Sequence, residues 1–114
     1  MGTIGFGPRD EDTVAVSGRT LDLLIDRALP SIADPAEAEE LRMCGDVDGI
    51  SFDLFEPGAR ERVAIAFREG TLQLKRELEA GTEPLPNFGP GNIGKLDEIL
   101  ALLDRFIPAD GTPG

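Results

Sequence analysis

Histidine, tryptophan and tyrosine are absent from this 114-residue chain, cysteine occurs once and lysine twice. Each absence removes chemistry. Without histidine there is no imidazole base, no histidine metal ligand and no side chain whose ordinary pKa lies near neutrality. Ser17, Ser31 and Ser51 therefore lack the base that a serine nucleophile needs. The single Cys44 cannot form an intrachain disulfide, which suits a reducing compartment. It falls on the inner face of a helix near its negative C-terminal end, in an acidic chain, where a thiol is held protonated. It reads as a small buried hydrophobe. No apolar run approaches the ~18 residues of a membrane span. The N-terminus shows no basic segment followed by an apolar one, and Phe6 stands where an N-myristoylation motif has Ser or Thr. The expected location is cytoplasmic.

Positive charge is also scarce. Eleven Lys and Arg face 22 Asp and Glu, a formal net charge of −11. Phosphate backbones and anionic membranes are bound through basic residues, so the composition disfavours nucleic-acid and membrane partners. The natural complement is a basic protein surface, because opposed fields speed encounter and reject wrong partners.

The length suits one domain, expected over residues 1–107, with 108–114 a disordered tail. Periodicity predicts a predominantly helical α+β fold: about four helices, a long central helix over about 57–80, and a small β element from about 3–6, 13–16 and 50–55. Leu21, Leu24, Ile25, Ala28 and Leu29 make one apolar stripe, capped by Ser17 or Thr20 and ended by Pro30. Asp34-Pro35-Ala36-Glu37 is an N-terminal signature, with Asp34 as N-cap, Pro35 at the first helical position and Glu37 closing a capping box. Ala38, Leu41 and Cys44 share that helix's inner face, and Gly45 fits its C′ position. Ile50 to Phe55 alternates with period two, which directs Ile50, Phe52 and Leu54 inward and Ser51, Asp53 and Phe55 outward.

The long helix collects Ala59, Val63, Ala66, Phe67, Gly70, Leu74 and Leu78 on one face. Ile65 and Leu72 lie a heptad apart on the other. Gly70 costs about 1 kcal/mol in a helix interior, so it marks a break or a close approach of another backbone. Gly81 fits a left-handed C-terminal residue. Residues 82–94 form a Gly/Pro-rich loop containing Phe88. A last helix carries Leu96, Ile99, Leu100, Leu103, Phe106 and Ile107 on one stripe.

Two motifs fail on their context. Gly89-Pro90-Gly91-Asn92-Ile93-Gly94 matches G-x-G-x-x-G, but Pro84-Leu85-Pro86-Asn87 before it is poor strand material, and Asp97 and Glu98 in the following first turn would repel phosphate. Asp46, Asp48, Asp53 and Glu56 gather carboxylates, yet in EF-hand register Cys44 falls at position 1 and Phe55 at position 12. No cofactor is expected, and no catalytic residue stands out.

Recognition remains. The leading expectation is a small acidic, non-enzymatic protein that neutralises or inhibits a basic protein partner. Its binding face would be Asp46, Asp48, Asp53 and Glu56, anchored by Phe55. In charge and size alone the chain resembles small acidic neutralising proteins such as immunity proteins and antitoxins. One alternative is a helical homo-oligomeric subunit, such as a homodimer, with Ile65 and Leu72 as its seam. A second is a divalent-metal-binding protein that uses the acidic turn.

Overall fold

Among the described residues, four helices and a three-stranded sheet form a predominantly helical α+β fold. The computed structural model describes residues 2–5, 13–47, 49–52, 55–81 and 92–107. The expected tail at 108–114, Phe6, Phe88, residues 82–91 of the loop, Asp48, Asp53 and Leu54 lie outside them.

Strand β1 (Gly2–Gly5) is central, antiparallel to β2 (Thr13–Val16) and parallel to β3 (Gly49–Ser51). Ile4 pairs with Val14 on one side and Ile50 on the other, and all three are buried. The first two pieces of the expected β element therefore pair antiparallel, and the third is added in parallel after two intervening helices. The third strand is shorter than the alternation predicts. The Phe52 carbonyl accepts from the Phe55 backbone N–H at 3.2 Å and from Arg60 Nε at 3.2 Å, while Arg60 Nη2 reaches the Phe55 carbonyl at 3.1 Å. These bonds fold the chain back and turn Phe55 inward. The period-two pattern holds from Ile50 to Phe52 and no longer holds at Phe55.

Helix α1 (Gly18–Ala28) begins where Ser17 Oγ accepts from the Thr20 N–H at 3.1 Å, and it runs into a 3-10 turn, Leu29–Ser31, containing Pro30. Helix α2 (Pro35–Asp46) is capped by Asp34, which accepts from the Ala36 N–H at 2.8 Å. Two expectations for α2 need correction. Glu37 does not complete a capping box; it reaches across to Arg62 in a two-pronged ion pair. Gly45 lies within the helix rather than past it. A Cβ there would meet Ile25 Cδ1 at 3.3 Å and Asp22 Oδ1 at 3.4 Å, so close approach to α1 accounts for that glycine.

Helix α3 (Pro57–Glu79) is continuous and ends at Gly81, whose φ of +87° favours glycine. Its predicted inner face is buried throughout, with Val63, Phe67 and Leu74 fully covered. Gly70 is the close approach rather than the break: a Cβ there would lie 2.8 Å from Ala28 N and 3.0 Å from Arg27 C. Helix α4 (Ile93–Phe106) starts one residue before Gly94, so Asp97 and Glu98 do not occupy its first turn as expected. It buries Leu102 in addition to Leu96, Ile99 and Leu103, while Leu100 and Phe106 are half-buried.

Phe52 organises the core. Its ring stands edge-on to Phe67 at 5.5 Å and tilted against Phe106 at 5.8 Å and Phe55 at 6.3 Å, favourable geometries for aromatic quadrupoles. One cluster joins these rings to Ile4, Leu21, Leu24, Leu41, Leu74, Leu96 and Leu103.

Candidate functional site: an acidic face with an apolar centre

Ion pairs decide where the negative excess is left uncompensated. Helix α3 is tied to each of the other helices by one or more of them. Arg27 of α1 holds Glu77 through Nε at 3.0 Å and Nη2 at 2.7 Å. Arg62 holds Glu37 of α2, and Arg68 and Lys75 meet Asp104 and Asp97 of α4 at 2.9 and 2.7 Å. Arg42–Glu39 and Lys95–Glu98 are local pairs within their helices. The planar Arg27 fork on Glu77 raises the guanidinium pKa and lowers that of the carboxyl, chiefly through the paired hydrogen bonds.

Asp22, Glu40 and Asp46 are exposed and carry no ion pair among the described residues. Asp22 on α1 borders Gly45, and Glu40 and Asp46 belong to α2. At 100° per residue, Leu41 turns α2's inner side to the core and Met43 lies at the middle of the opposite side. Met43 is 58% exposed and Val47, one turn on, 76% exposed; they are the two most exposed large hydrophobic side chains described. By the same geometry Glu39, Glu40 and Asp46 fall within about 60° of Met43 around the helix, and Val47 is its C-cap.

Of the residues expected at a binding face, Asp46 and Glu56 are exposed, and Asp48 and Asp53 lie outside the described residues. Phe55 is not an outward anchor. It is 4% exposed and packs against Phe52, because the Arg60 clamp reverses the chain before it can project. Met43 and Val47 escaped the sequence reading, although their i, i+4 spacing opposite Leu41 was a usable signal.

Cys44, half-buried on the α2 inner side, has its thiol pKa raised by desolvation and then by the Glu40 charge, the direction opposite to that of a nucleophile. Among the described residues, no group of three or more Cys, Asp or Glu side chains could hold a metal ion, and no helix is long and apolar enough to cross a membrane. An open groove of about 460 Å³ is lined in part by Ser17, Thr20, Asn92 and Lys95. It brings together the N-termini of α1 and α4, but the Ser17 and Thr20 hydroxyls there bond each other at 2.9 Å. No known protein family matches the chain, and no characterised protein or solved structure is detectably similar to it.

Proposed function

We propose that this protein is a non-enzymatic binding protein that neutralises a basic protein partner, docking it on the outer face of α2 around Met43 and Val47. One observation carries the reading: the two most exposed large hydrophobics among the described residues, Met43 and the C-cap residue Val47, lie four residues apart on an acidic helix that carries Glu39, Glu40 and Asp46. Apolar contact inside a charged rim is the usual anatomy of a recognition patch. Methionine adapts its shape to a partner at little cost. Uncompensated carboxylates at Asp22, Glu40 and Asp46 would steer a basic surface toward it and set the orientation. The inhibitory, immunity- or antitoxin-like role follows from charge and size, and a cytoplasmic location suits a chain whose one cysteine cannot form an intrachain disulfide.

The test is capture by the immobilised chain, followed by identification of each retained protein and measurement of its Kd. A basic partner retained by the wild type should bind about 10–100-fold more weakly to Met43→Ser/Val47→Ser, as expected for two truncated anchors. Its association should slow as salt rises. Equal affinity for the double variant removes the patch, and a partner that is not basic removes the charge argument.

A further inference from the structure

We propose that the outward face of α3 binds a second copy of this chain, with the two α3 helices antiparallel about a two-fold axis midway between Arg68 and Glu69. This surface is separate from the α2 face and does not depend on it. At 100° per residue, Glu61, Ile65, Leu72 and Arg76 fall within an arc of about 60°, opposite the buried Val63, Phe67 and Leu74. The flanks of α3 are occupied: Glu77 meets α1, and Arg68 and Lys75 meet α4. The arc between them is left open, with Ile65 43% exposed and Leu72 half-buried at its middle.

The charges on this arc select the occupant. A two-fold between Arg68 and Glu69 carries Ile65 onto Leu72 of the second copy, and the same rotation carries Glu61 onto Arg76 of the second copy. Each contact then occurs twice, as an isologous interface requires. A parallel arrangement would set Glu61 against Glu61 and Arg76 against Arg76, which like charges forbid. Both side chains are exposed and have no ion pair among the described residues. Near the axis Arg68, held by Asp104 through Nε, faces Glu69 of the second copy. Two apolar side chains per copy, set against a net charge of −11 on each chain, make the association weak, roughly micromolar to millimolar.

Sedimentation equilibrium from about 10 µM to 1 mM tests this across the expected range. The wild-type mass should rise from 12.2 kDa toward twice that value, and Ile65→Asp should remain monomeric. Arg76→Glu and Glu61→Arg should each weaken association at least ~10-fold by opposing like charges, and the combined swap in one chain should restore it to within ~3-fold. Circular dichroism on each variant checks folding, because the swap opposes the α3 dipole at both ends. A wild type that stays monomeric throughout overturns the proposal. So does association indifferent to Ile65→Asp, or a folded double swap without recovery.

Discussion

Gly70→Ala puts the α1–α3 packing to a test in which helix propensity and steric fit have opposite signs. On an open helix surface the change would stabilise by about 1 kcal/mol, because alanine orders less chain entropy than glycine. Here the new methyl would lie 2.8 Å from Ala28 N, 3.0 Å from Arg27 C and 3.1 Å from Ala28 Cα. These are backbone atoms of a packed helix and cannot rotate away. Restoring an ordinary contact of 3.4 Å separates α1 from α3 locally by about 0.6 Å, and Leu21, Leu24 and Leu74 lose part of their dispersion contact. Overpacking of this kind costs about 1–3 kcal/mol. After the propensity gain is subtracted, Gly70→Ala should be less stable by up to about 2 kcal/mol, lowering Tm by up to roughly 10 °C in a chain of this size. Urea and thermal unfolding followed by helical circular dichroism give both quantities. Gly94→Ala is the matched control, since a Cβ there meets nothing within 4 Å, and it should be neutral or mildly stabilising. A Gly70→Ala protein more stable than wild type by the full open-surface gain of about 1 kcal/mol would refute the close approach as the reason for glycine.

Two further substitutions probe the corrected site and the helix ties. Phe55→Ala should destabilise by about 3–4 kcal/mol in urea unfolding, as for a buried ring against Phe52; unchanged stability would return Phe55 to the surface. Glu77→Gln should cost about 1 kcal/mol at neutral pH through loss of the Arg27 fork. Because folding lowers the Glu77 pKa from 4.5, that contribution is complete above the unfolded value and is lost as pH falls through the folded one. The stability difference between wild type and Glu77→Gln should therefore close in acid, and a constant gap across the titration would contradict the assignment.

Sequence pattern reached far where one period ran through a whole element. The α3 stripe, the Ser17 and Asp34 caps and the Gly81 terminus all follow from local rules that the tertiary fold reinforces. It failed where a distant side chain decided the outcome. Arg60 ended the alternation at Phe52 and buried Phe55, and nothing between Ile50 and Phe55 signals that an arginine eight residues after Phe52 will bond two carbonyls. Glu37 was drawn from its own helix start to Arg62, and Gly45 answers to Ile25 and Asp22 rather than to a helix end. The candidate face was half legible for the same reason. Asp46 was marked by composition, and the inner side of α2 was read correctly from Leu41; what the pattern did not give was how far Met43 and Val47 stand out from the opposite side, at 58% and 76% exposed.

The proposed recognition of a basic protein by the α2 face stands or falls with the Kd of a captured basic partner for wild type and for Met43→Ser/Val47→Ser, measured at low and high salt. A loss of about 10–100-fold is expected in the double variant with the fold intact, together with weaker wild-type binding at high salt through slower association. Identical constants for the two proteins, or binding insensitive to salt, would contradict it.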